Sequence, residues 1–146
     1  MGETEASAVT FDEAKALPIG TVFVDRFDEG VRFIIMRGPC SLCAYIGVPS
    51  DHPLAGHPYD NVRIDCHGGL TFSDKFTDKF PGWYFYGWDY GHCGDKPFYE
   101  RSYEGSDKAW SVDDVDKDSW SAIYDFKRLI RLSEDIARKR GAPSHD

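Results

Sequence analysis

Trp83-Tyr84-Phe85-Tyr86-Gly87-Trp88-Asp89-Tyr90-Gly91-His92-Cys93-Gly94-Asp95 is the stretch from which the fold reads outward. Residues 83–90 are almost all aromatic. A strand has a side-chain period of two, so this run is apolar on both faces and is expected inside a sheet, covered on at least one side. It then delivers a carboxylate, an imidazole and a second carboxylate at intervals of three, Asp89, His92 and Asp95, with glycines between. Upstream, Asp65-Cys66-His67-Gly68-Gly69-Leu70-Thr71 forms a second polar group that a neighbouring strand would bring alongside.

That neighbour is expected over Val62 to His67, which alternates: Val62, Ile64 and Cys66 on one face, Arg63, Asp65 and His67 on the other. Gly68-Gly69 permits a bulge or bend before Leu70 to Phe72, and residues 73–82 read as a charged loop. Earlier, Thr10 and Glu13 have capping-box spacing and open a short helix that must stop before Pro18. Val22–Phe27 and Val31–Met36 flank Asp28-Glu29-Gly30 as a hairpin, and Cys43–Val48 is a third strand. Four breakers between 49 and 60 (Pro49, Pro53, Gly56 and Pro58) exclude a long element, leaving an ordered loop that carries His52 and His57. Residues 91–110 read as irregular. From Ser111 an apolar stripe runs at helical spacing through Val112, Val115, Ile123, Phe126, Leu129 and Ile136, which predicts one long helix ended by Gly141 and Pro143. Acidic residues at its start and Arg138-Lys139-Arg140 at its end match the helix dipole. The expected class is α+β: a mostly antiparallel sheet, one long C-terminal helix packed on a face, and a short N-terminal helix. One domain is expected over residues 10–140, with flexible tails at 1–9 and 141–146.

The 146 residues include 25 Asp and Glu against 17 Lys and Arg, a net charge of −8. Such a field repels phosphate backbones and anionic lipid, so neither nucleic acid nor membrane is an expected partner. No apolar run approaches the roughly 18 residues of a membrane span, and Met1 to Thr10 lacks a signal-peptide layout. A cytoplasmic location is expected, with reduced cysteines.

Asp65, His67, Gly68, Gly69, Thr71, Trp88, Asp89, His92 and Asp95 are the expected ligand-binding residues. Imidazole nitrogens and carboxylate oxygens suit a divalent metal, and His67, Asp89 and His92 are the candidate ligands. The same groups could exchange protons without metal, a carboxylate orienting an imidazole. The bland alternative is that Asp and His cap turns and Gly-Gly marks a bend. Cys40-Ser41-Leu42-Cys43 has the spacing of half a zinc knuckle, but Cys66 and Cys93 are too isolated to complete it convincingly. No hydrolase elbow, P-loop, zincin or dinucleotide motif is present, so cofactor and catalytic residues stay open.

His52-Pro53-Leu54-Ala55-Gly56, Cys66-His67-Gly68-Gly69-Leu70-Thr71-Phe72 and Gly87-Trp88-Asp89-Tyr90-Gly91-His92-Cys93-Gly94-Asp95 together resemble a pattern of small uncharacterised bacteriophage and prophage proteins. The resemblance covers residues of about 31 to 137. It implies a phage setting, hence the host cytoplasm, and supports the polar cluster. It supplies no reaction, and Cys40 is not part of it. The leading expectation is a phage-type accessory protein that binds a small ligand, a metabolite or nucleotide, in a His/Asp/Gly-lined pocket. The alternatives are a metal-dependent hydrolase using the same cluster and an acidic protein that blocks a host protein.

Overall fold

Two left-handed residues start the sheet. In the computed structural model, which describes residues 8–100 and 107–140, Glu29 and Gly30 take φ of 53° and 83°. That is the backbone a tight two-residue hairpin turn requires, and it joins β1 (Val22–Asp28) to β2 (Val31–Arg37). Strands β3 (Leu42–Pro49), β4 (Phe72–Asp74) and β5 (Trp83–Asp89) complete a five-stranded sheet of order β1-β2-β3-β5-β4, every neighbouring pair antiparallel. The aromatic strand β5 is therefore internal, Tyr86 opposite Ile46 and Asp89 opposite Cys43, with Gly87 opposite Phe72 on its other side.

Three helices close one face: α1 (Phe11–Lys15), α2 (Val112–Asp118) and α3 (Trp120–Lys139). The expected capping box of Thr10 with Glu13 forms, and Ser111 makes a second one with Asp114. Val112, Val115, Ala122, Ile123 and Phe126 pack against Ile46, Val48, Tyr86 and Trp88 in the main core. Val9 joins this layer and its carbonyl accepts from Val112. The opposite face buries Ile34, Met36 and Phe85 under Tyr45, Phe72, Phe76, Phe80 and Trp83. The stretch read as a charged loop, 73–82, thus carries Phe76 and Phe80 as an aromatic cover, each about 5.5 Å from Phe85 by ring centre. Gly87 interrupts the aromatic run because the Tyr45 ring lies across it: a Cβ there would sit 2.5 Å from Tyr45 Cδ2.

Two expectations are corrected. Residues 62–66 pair with no strand and His67 lies in a turn, and the backbone of Asp65 turns to α3 instead. The Asp65 amide donates to Asp125 (2.8 Å) and its carbonyl accepts from Ser121 (3.1 Å). The alternation survives without the ladder, Val62 buried and Arg63 and Asp65 exposed. The single long helix is two, interrupted at Ser119. The Ser119 hydroxyl, 1% exposed, donates back to the Val115 carbonyl at 2.7 Å, a bond that competes with regular helix geometry. Of the tails expected at 1–9 and 141–146, residues 1–7 and 141–146 lie outside the described residues, as do residues 101–106 of the irregular stretch. Among the described residues no helix is long and apolar enough to cross a membrane.

Phe126 is wholly buried and meets Tyr86 at 5.9 Å. Phe126→Ala is expected to cost about 3–5 kcal/mol of folding free energy, measured as a lowered urea midpoint.

Candidate functional site

The site is built around Asp95, delivered by the turn that follows β5. Its backbone amide donates to the His92 carbonyl (2.9 Å), and its own carboxylate accepts from the His92 amide (2.9 Å), so the carboxylate folds back over the turn. A single parallel bridge to Lys108 brings the segment before α2 alongside. That bridge places Trp110, whose indole N–H donates to Asp95 Oδ1 at 2.8 Å. Asp95 Oδ2 also accepts from His67 Nε2 at 2.8 Å. At 5% exposure the carboxylate is out of water, and these donors replace its hydration.

His67 is held on every side. Its ring stacks on Tyr90 with centres 4.5 Å apart and planes 11° off parallel, and Trp110 meets it at 5.0 Å. Because Nε2 donates to Asp95, the neutral ring keeps its lone pair on Nδ1. Nδ1 has no hydrogen-bond partner among the described residues and is not a buried orphan, so it reaches solvent. Tyr90 in turn accepts from the Trp88 indole (3.1 Å) and donates to Asp118 (2.8 Å). Burial pushes its hydroxyl pKa well above the ordinary value, with Asp118 adding to the rise, so Tyr90 stays a neutral donor.

A looser pair stands beside this. His92 Nε2 lies 3.4 Å from Asp89 Oδ1, an ion-pair distance without hydrogen-bond alignment, and Nε2 is a buried atom lacking a hydrogen bond. Asp89 is fixed by the Gly91 amide (3.0 Å) and, at 3.4 Å, by the Thr71 hydroxyl. The His67 and His92 ring centres are 5.8 Å apart. Gly68 lies directly on His92: a Cβ there would be 2.3 Å from Nε2, and φ is +71°. Gly69, at φ +83°, has open space where a Cβ would stand. It borders a groove of about 280 Å³ lined also by Tyr59, Asp60, Val62, Arg63, Ile64 and Leu70.

Of the nine expected site residues, His67, Gly68, Thr71, Asp89, His92 and Asp95 are brought together, and Gly69 sits at the groove edge. Asp65 is exposed and its backbone engages α3, while Trp88 is 1% exposed within the core. Trp110 was not foreseen, since only a bridge between distant segments places it. The signal available was a Trp immediately before a helix cap. His52 and His57 serve the 49–60 loop. His52 Nδ1 accepts from the Leu54 amide and Nε2 meets Glu134 at 2.8 Å, and His57 Nε2 meets the Pro53 carbonyl.

Among the described residues no three His, Cys, Asp or Glu side chains are grouped to hold a metal ion. The four thiols are free. Cys40 and Cys93 are exposed, whereas burial pushes Cys43 up to about 11 and Cys66 up to about 12.

Gly68→Ala adds both a clash and backbone strain, Gly69→Ala strain alone. The first is expected to lose about 1–3 kcal/mol and the second less, read as melting temperatures with the His92 ring resonances as local reporter. Only the thiolate reacts with disulfide reagents. The two exposed thiols, Cys40 and Cys93, are expected to react first. Cys43 and Cys66 are expected to lag, their rates still rising as pH climbs through 9 to 11. Mass mapping of the labelled cysteines checks this.

No family model, curated protein or solved structure matches the chain.

Proposed function

We propose that this chain binds a small ligand, a metabolite or nucleotide, at the face formed by His67, Gly68-Gly69, Thr71, Asp89 and His92, as an accessory protein in a bacteriophage setting. One observation carries the reading. A carboxylate removed from water holds His67 by Nε2 and leaves Nδ1 with no hydrogen-bond partner among the described residues, a costly arrangement for packing alone. The adjoining groove, with open space above Gly69, supports it by offering room for the rest of a ligand. Asp65 and Trp88 have no part in the reading, because one faces solvent on the α3 side and the other is core.

The test uses the imidazole nitrogen and carbon resonances of the four described-loop and site histidines, His52, His57, His67 and His92. The probes are D-ribose, D-glucose, dihydroxyacetone, adenosine and adenosine monophosphate, added singly. At least one is expected to shift His67 and His92 while leaving His52 and His57 in place, and His67→Gln is expected to weaken that binding at least tenfold. If every probe leaves both site imidazoles unmoved, the reading is wrong.

A further inference from the structure

We propose that two copies of this chain associate through the outer ridge of α3, antiparallel across a two-fold axis beside Arg128. The inference goes beyond the ligand reading and uses none of its residues. Side chains four apart on a helix line up as a ridge, and ridges of that spacing interlock in the commonest class of helix packing. The ridge here is Trp120, Tyr124, Arg128, Leu132 and Ile136. Its four apolar members are 63%, 69%, 51% and 47% exposed in that order, and the Arg128 side chain is also exposed. Single exposed apolar side chains need no explanation, but a continuous row of them marks a contact surface.

Folding of one copy does not use this row. The helix gives Ala122, Ile123 and Phe126 to the core, with Leu129 and Ile130 packed at its rim. None of the four ridge side chains joins either core cluster. The row therefore faces water in the single chain while its helix is fixed from the other side.

The order of residues along the ridge selects the occupant. A two-fold axis beside Arg128 reverses the second ridge, so positions equally far from Arg128 meet. Trp120 then faces the second copy's Ile136, and Tyr124 the second copy's Leu132, so each flat ring lies on a branched aliphatic chain. Three residues to either side of Arg128 stand Asp125 and Arg131. Arg131 is exposed and has no hydrogen bond or ion pair among the described residues. The Asp125 carboxylate accepts from the Asp65 amide at 2.8 Å and from Arg128 only at 3.4 Å, so it has capacity left for a further donor. Antiparallel pairing brings each Arg131 to the second copy's Asp125, twice by symmetry. A parallel pairing would set Arg131 on Arg131 and Asp125 on Asp125. The two Arg128 guanidiniums approach each other at the axis, and the Asp125 beside each offsets that repulsion.

The size of the contact sets its strength. One helix crossing with four partly exposed apolar side chains on each copy removes on the order of 1,000 Å² from water, the low end of specific interfaces. Association is therefore weak and reversible, with half-dissociation in the micromolar range or above. The net charge of −8 on each copy acts against it, but that repulsion is screened beyond about 8 Å at physiological salt.

Sedimentation equilibrium of the full-length chain, from about 10 µM to about 1 mM at physiological ionic strength, tests this. The mean mass is expected to rise with concentration from 16.5 kDa toward twice that value. Trp120→Glu and Leu132→Glu are each expected to weaken association at least tenfold while leaving the urea midpoint in place. Asp125→Lys and Arg131→Glu each set like charges against each other in the self-pair, so each alone is expected to stay single. Their mixture restores both ion pairs and is expected to associate again. Asp125→Lys also gives up the Asp65 amide, so if it fails to fold, the two glutamate variants of the ridge decide alone. A chain that stays at 16.5 kDa throughout overturns the proposal and leaves the ridge to a different protein. Association that neither ridge variant weakens places the contact elsewhere and overturns it as well. A folded mixture that stays single rules out the antiparallel arrangement, and the proposal with it.

Discussion

The carboxylate of Asp95 is the constraint on which the site depends. It is buried, and its donors come from separate places in the chain: the His92 amide of its own turn, the His67 ring and the Trp110 indole. An ionised group taken out of water survives only if its lone pairs are met, so these segments must stay together for any one of them to be tolerated. The same bonds decide which nitrogen of His67 carries hydrogen, and so which one faces outward. Stability and the orientation of the His67 ring are one arrangement here.

That arrangement is held because the sheet brings its carrier to a fixed place. Strand β5 is internal, with helices on one face and the Phe76/Phe80 cover on the other. Rotation or slippage of such a strand would expose large rings on one side or overpack them on the other. Asp89 therefore leaves the sheet at one position, and Tyr90 just beyond it is pinned by Trp88, Asp118 and Ser119. Tyr90 is the platform for the His67 ring. The break at Ser119 between α2 and α3 lies against the same hydroxyl, so the helical wall bends where the platform needs a partner.

Polar residues that look alike in sequence separate by what surrounds them. Asp89 and Asp95 face imidazoles, whereas the Asp65 backbone is drawn onto α3 by Ser121 and Asp125. His67 and His92 keep an open nitrogen each, while His52 has both nitrogens occupied in stabilising its loop. Cys43 and Cys66 behave as small apolar side chains whose thiols burial keeps protonated.

The sequence by itself determined most of the fold. Alternation and turn chemistry placed the first hairpin, the third strand and the aromatic strand, and the Thr10–Glu13 capping box and the cap at Ser111 opened helices where they stand, because these are signals between residues close in the chain. It also determined that His67, Asp89, His92 and Asp95 belong together, since glycine spacing after two apolar runs is a local signal. Tertiary structure decided what local signals cannot carry. Whether Val62 to His67 pairs as a strand depended on Asp125 and Ser121, about 60 residues away, competing for its backbone. Whether Trp88 or Trp110 served the site depended on the Asp95–Lys108 bridge, and on which side of the sheet the helices lay. Hydrogen bonds to a buried charge reach only about 3 Å, so the donors that meet it are chosen by packing, and packing is set by the whole chain.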